Sequence, residues 1–225
     1  MRSLAILLAT SFTVLGLASA KPIEVLVYSK TSWYRHPEIA RINGYLAILG
    51  AKNDINVSIT ESPDELSARN LGNYDLILFN NSTNLGESLT VEQRKPIIEW
   101  FKKGGGIMVI HAGIVQNGTW PELIEIAGCD FHGDSEFVEA RFLVDPKAEG
   151  DPVVAGKSKE FTYTADWLNF DRSVTGLPGV EVLIRLDEKS YVPIREHPSY
   201  TDMKPMGADH PICWRRKLGN GRYFF

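Results

Sequence analysis

The chain is short of cysteine: Cys129 and Cys213 are the only two among 225 residues. Two cysteines make no disulfide framework, and neither stands in a CxxC or zinc-ligand spacing. A single bridge and two buried thiols therefore remain equally open. Basic runs are missing too. Lys and Arg total 24 against 28 Asp and Glu, a formal charge of −4, so the electrostatic footprint that nucleic acid requires is absent. Neither GxxxxGK[ST] nor GxGxxG occurs, which leaves nucleotide binding without support. No stretch beyond residue 20 is long and apolar enough to cross a bilayer. No linker, low-complexity tract or repeat divides the chain.

What is present begins at the N-terminus. Arg2 precedes Leu4 to Leu8 and Val14 to Leu17, and Ala18-Ser19-Ala20 follows. A basic start, an apolar core too short for a membrane anchor and an A-x-A ending read as a secretory signal peptide over 1–20. The mature chain, 21–225, is then expected to be periplasmic or secreted, with no stable membrane anchor.

The mature part opens on apolar runs bounded by turn residues, the mark of strands buried on both faces. Ile23–Ser29, Asn56–Thr60, Tyr74–Asn80 and the run between the Gly104–Gly106 cluster and the His111-Ala112-Gly113 turn, ending in His111, are four such runs. Helical spacing of Ile39, Ile42, Leu46 and Leu49 predicts a helix between the first two. Ser62-Pro63-Asp64-Glu65 and Thr90-Val91-Glu92-Gln93 both read as capping boxes. The second opens a helix to about Lys103, which Pro96 should bend and Gly104 should end. Alternating strands and helices predict a parallel sheet covered on both sides, a three-layer α/β/α sandwich. Beyond His111 the pattern is richer in strands and loops: a short helix at 121–127, strands near 137–144 and 180–186, and a hairpin of 212–216 with 222–225 turning at Asn220-Gly221. The chain ends inside that last strand, so a C-terminally incomplete domain is expected.

Open α/β sheets bind ligands beyond the carboxyl ends of their strands. Here those ends carry Ser29-Lys30, Asn80-Asn81 and His111, with His36 nearby. The five histidines, His36, His111, His132, His197 and His210, all fall in loops or at strand ends. Imidazole suits transition metals, yet no HxH or HxxxH spacing occurs, so a divalent metal is an alternative rather than a required cofactor. Tyr163 to Phe170 interleaves aromatics, a carboxylate and an amide, a mixture suited to sugar faces and hydroxyls. Trp33, Trp120 and Trp214 are further candidates for such a lining.

Val25 to Thr31 with Arg35-His36, Gly104 to Ala112, Asp166 to Phe170 and Met206 to Trp214, in that order, resemble the ThuA-like (trehalose utilisation) family. The resemblance runs from about Ile23 to Phe225. It implies a flavodoxin-like fold similar to class I glutamine amidotransferases, and a small-molecule carbohydrate as partner. Where amidotransferases carry a nucleophilic cysteine at the tip of strand 4, this chain has His111, so thiolate chemistry is not expected. The family's usual Asp-Glu-Trp-Tyr reads Ala165-Asp166-Trp167-Leu168 here. The expectation is an enzyme acting on a sugar or modified glycoside, with His111, Asp166 and His210 in acid–base roles. Ser29, Lys30, His36, Asn80, Asn81, Trp120, His132, Trp167, Asn169, Met206 and Asp209 are the expected sugar contacts. The alternatives are a non-catalytic sugar-binding or scaffold protein of the same fold and a metal-dependent hydrolase.

Overall fold

The computed structural model describes residues 21–196 and 202–225. His197 and the 1–20 segment lie outside the described residues. In chain order the elements are β1 (Ile23–Tyr28), α1 (Ile39–Lys52), β2 (Ile55–Thr60), α2 (Ala68–Leu71), β3 (Leu76–Asn80), α3 (Leu85–Ser88), α4 (Val91–Lys102), β4 (Gly106–Ile110) and α5 (Pro121–Ala127). Then come β5 (Phe131–Val144), β6 (Glu160–Phe170), β7 (Val180–Asp187), β8 (Pro211–Leu218) and β9 (Gly221–Phe224). No helix among the described residues is long and apolar enough to cross a membrane.

The nine strands among the described residues form one sheet in the order β2-β1-β3-β4-β9-β8-β7-β5-β6. From β2 to β9 the pairs are parallel; from β9 to β6 they are antiparallel. The parallel half is the flavodoxin-like unit, and the last strand in sequence completes it by pairing with β4. The hairpin that returns it turns at Gly219-Asn220, one residue earlier than the Asn-Gly signal placed it, because Leu218 pairs with Gly221. Gly219 takes φ 61° at the first central position, where a two-residue turn demands positive φ. Phe225 is also paired, exchanging both backbone bonds with Trp214.

Successive residues of β1, β3 and β4 point to opposite faces, and each face has its own core. Leu26, Tyr28, Ile77, Phe79, Ile107 and Val109 pack with Ile97 and Phe101 of α4 and Leu123 of α5. Val25, Val27 and Leu78 pack with Leu46 of α1 on the other. Both faces are thus covered, which is why these strands read as unbroken apolar runs. The α1 face is narrower than its spacing suggested: Leu49, expected inside, is 41% exposed. Residues 63–66 form a single 3₁₀ turn instead of a capped α-helix, with Ser62 accepting from the Asp64 N–H. The Thr90–Gln93 capping box is present in full, and α4 runs through Pro96 to Lys102. It ends in a Schellman arrangement, Gly105 N–H to Trp100 O and Gly104 N–H to Phe101 O, with Gly104 at φ 113°.

Candidate functional site

The parallel half presents its carboxyl edge as expected, and three segments far apart in sequence meet there. His111 follows the last residue of β4 and opens a 3₁₀ turn over His111–Ile114. Its φ is 47°, in the left-handed region, where a side chain with a Cβ is strained by roughly 1–2 kcal/mol. The turn is tight: a Cβ on Gly113 would stand 2.7 Å from Phe79 O. Strain of this kind at a strand tip marks positions whose geometry serves a site.

His36 lies in the segment joining β1 to α1, and the polar tail of β3 holds that segment. Ser82 Oγ donates to Tyr28 O (2.7 Å), Ser32 N–H to Thr83 O (3.2 Å), Ser32 Oγ to Asn84 O (2.7 Å) and Thr83 Oγ1 to Tyr34 O (3.2 Å). Beneath it runs a buried network. The Asn80 amide donates to Asn43 Oδ1 (2.8 Å) and to Ile39 O (3.2 Å), the Asn81 amide donates to Asn80 Oδ1 (2.9 Å), and Ser29 shares hydrogen bonds with Asn43. Ser29, Asn80 and Asn81 were expected to touch sugar. They are buried, and they fasten β1, α1 and β3 together under His36 instead.

Asp166 comes from β6, directly across from Phe137 of β5. Its Oδ2 lies 3.4 Å from His111 Nε2, longer than the about 2.7–2.9 Å of a charge-assisted hydrogen bond. The His36 and His111 rings meet edge to face, centroids 4.7 Å apart at 79°. One donor atom from each of His36, His111 and Asp166 falls within 4.8 Å of the others, and all three side chains are half-buried. Burial pushes the Asp166 carboxyl up, but His111, a backbone N–H and His36 outweigh it and hold the acid at about 2. The His36 pKa is lowered, first by burial and then by the neighbouring His111, against weaker pulls from Asp166 and Glu38. A neutral imidazole and an ionised carboxylate thus face each other, the forms that accept protons or ligate metals.

The other expected residues lie elsewhere. His210, cast as a catalytic group, is fully buried; Nδ1 lies 2.8 Å from Glu188 Oε1 and Nε2 2.9 Å from Leu168 O. Both ring nitrogens are spent on structural acceptors. Asp209 turns away from it and accepts from the hydroxyls of Ser173 and Thr175, each at 2.7 Å. His132, Met206 and Asp209 line a cavity of about 480 Å³ whose lining includes none of the three clustered groups. Trp120 is sealed in the main core, edge to face with Phe79 at 6.5 Å. Trp167 packs with Ala140, Leu186 and Tyr191 and donates its indole N–H to Val138 O. Being adjacent to Asp166 on a strand, it faces the other way. Asn169 is buried with its amide donating to Pro193 O. Lys30 stays half-buried at the end of β1. Cys129 and Cys213 are both free, and burial pushes the Cys213 thiol up to about 12. Exposed rings that sequence reasoning did not connect with the site are Tyr34, whose ring meets that of His36 at 4.8 Å, and Phe137, 73% exposed.

The ThuA (trehalose utilisation) family model matches residues 24–225. The chain belongs to the ThuA family. Solved ThuA-like proteins share its fold. The one from Bacteroides uniformis ATCC 8492 superposes with a TM-score of 0.70 at 22% identity, covering 92% of this chain and 82% of its own. The one from Parabacteroides merdae ATCC 43184 gives 0.60 at 18%, covering 91% and 78%. No curated protein sequence matches the chain. The ThuA family falls within the glutamine amidotransferase-like superfamily, and at its strand-4 elbow this chain carries His111. A carbohydrate-related role follows from the family at that coarse level.

Proposed function

We propose that the chain is an exported enzyme acting on a sugar or modified glycoside, with His111 as its working acid–base group. The observation that carries this reading is the convergence of His36, His111 and Asp166 at the carboxyl edge of the parallel sheet. Asp166, held at about 2, is ionised at neutral pH and orients and stabilises the imidazole in place of donating a proton itself. His36 stays neutral and serves as a second acceptor. Tyr34, in the same segment as His36, and Phe137, across from Asp166, offer exposed aromatic faces on which a sugar ring stacks. His210 drops out of the mechanism and becomes part of the scaffold.

The test is product formation from a panel of α- and β-linked disaccharides, reducing and non-reducing, followed by chromatography. Turnover of at least one member supports the enzyme. Saturable binding with no product after long incubation would replace it with the binding-protein alternative.

A further inference from the structure

We propose that His36, His111 and Asp166 bind one divalent transition-metal ion, a two-histidine, one-carboxylate centre open to solvent. The inference rests on the same three side chains as the proposed function, but on no assumption about the sugar. With an ion bound, His111 Nε2 and Asp166 Oδ2 are its ligands, and proton transfer passes from the imidazole to a water on the ion.

Distance is the first argument. Metal–nitrogen and metal–oxygen bonds of about 2.0–2.2 Å place neighbouring ligands of a tetrahedral ion about 3.4 Å apart. His111 Nε2 and Asp166 Oδ2 are 3.4 Å apart. As a hydrogen bond that separation is slack; as one edge of a coordination polyhedron it needs no adjustment. All three donor atoms fall within 4.8 Å of one another, so a modest ring rotation of His36 closes the remaining edges. The edge-to-face packing of the two imidazoles, at 79°, lets ring nitrogens aim at one point without the rings colliding.

Chemistry is the second. Two imidazoles and a carboxylate form a donor set of catalytic zinc sites and of non-haem iron. The three side chains come from a strand tip, a strand and a loop pinned by four hydrogen bonds, so the ligand frame is fixed before an ion arrives. Arg195 is engaged bidentate with Asp134 at 2.6 and 2.9 Å and meets Asp166 only through its charge. The side chains that hold the Asp166 carboxyl down are the imidazoles of His111 and His36. His111 and Asp166 keep 25% and 31% of their side chains exposed, which leaves the outer face of the ion for water or a substrate oxygen. The ligand class that fits this opening is a sugar presenting adjacent hydroxyl or carbonyl oxygens beside Tyr34 and Phe137.

The experiment uses the full chain stripped with a chelator, titrated with Zn²⁺ by calorimetry and with Co²⁺ by visible absorption. One ion per chain is expected, with His36→Gln, His111→Ala and Asp166→Asn each weakening it at least ~10-fold. His132→Ala leaves uptake unchanged. Circular dichroism confirms that each variant is folded; where His111→Ala is not, Asp166→Asn carries the test. No saturable uptake, or uptake that survives the three substitutions, overturns the proposal. Sugar turnover is scored separately: uptake without turnover overturns only the enzyme reading, and turnover without uptake overturns only this one.

Discussion

His111 Nε2 stands 3.4 Å from Asp166 Oδ2, although 54 residues, strand β5 among them, separate the pair in the chain. Nothing local holds them together. β4 delivers one from the parallel half of the sheet, and β6 delivers the other from the far antiparallel edge. Their meeting is the main functional consequence of the fold.

His111 takes a left-handed backbone, so its identity costs stability. His111→Gly should be more stable than His111→Ala by about 1 kcal/mol, the usual penalty a Cβ incurs there. Urea denaturation of both variants measures the difference. Equal stabilities would mean that the turn relaxes and stores no strain.

Phe137 is 73% exposed across from Asp166. Phe137→Ala should leave stability within about 0.5 kcal/mol and raise KM for the responding sugar roughly 2–10-fold, the worth of one aromatic contact. An unchanged KM would remove Phe137 from the binding surface.

The His210–Glu188 pair is a structural device with its own pH signature. Burial raises the Glu188 carboxyl, but the bond from His210 and the N–H groups of Met206 and Gly207 bring it below its ordinary value of 4.5. A depressed carboxyl contributes stability that is present above 4.5 and is lost as pH falls through the lower folded value. The stability advantage of wild type over Glu188→Gln should therefore be full at pH 7 and shrink below 4.5. His210→Ala leaves the buried carboxylate with only the Met206 and Gly207 N–H groups and should cost about 1.5–3 kcal/mol, the worth of a hydrogen bond to a charged group. The folded fraction should keep its turnover; a specific loss of kcat would return His210 to the mechanism.

Asn80 ties Asn43, Ile39 and Asn81 beneath the His36 segment. Asn80→Ala strands buried partners and should cost about 1–3 kcal/mol. It should also lower kcat more than it raises KM, since what loosens is a catalytic group's support. A loss confined to stability would make the network purely architectural.

The parallel half was legible because a strand buried on both faces must be an apolar run; β1, β3 and β4 were located to within about two residues for that reason. The antiparallel half was less so. In β6, Phe161, Tyr163, Ala165 and Trp167 alternate with Thr162, Thr164 and Asp166, a period-2 pattern that marks a strand and assigns Asp166 and Trp167 to opposite faces. Read as a sugar-lining stretch, the same residues put both on one pocket. The site's His111 and His36 were recoverable from strand ends alone. Their partner Asp166 was named through the family resemblance and not through spacing, because β5 to β7 pair out of sequence order and the assembled sheet is what brings it to the tip of β4. His210 entered through the family resemblance alone, and the chain sends Asp209 outward and His210 into the core.

The most direct test of the central claim is kcat/KM for the responding sugar in wild type, His111→Ala, Asp166→Ala and the double variant, each checked for fold. Groups that act as one unit lose their effects together. The expected result is a drop of at least ~100-fold for His111→Ala, with the double variant no worse than that single one. Unchanged turnover in His111→Ala, or losses that simply multiply, would contradict the account.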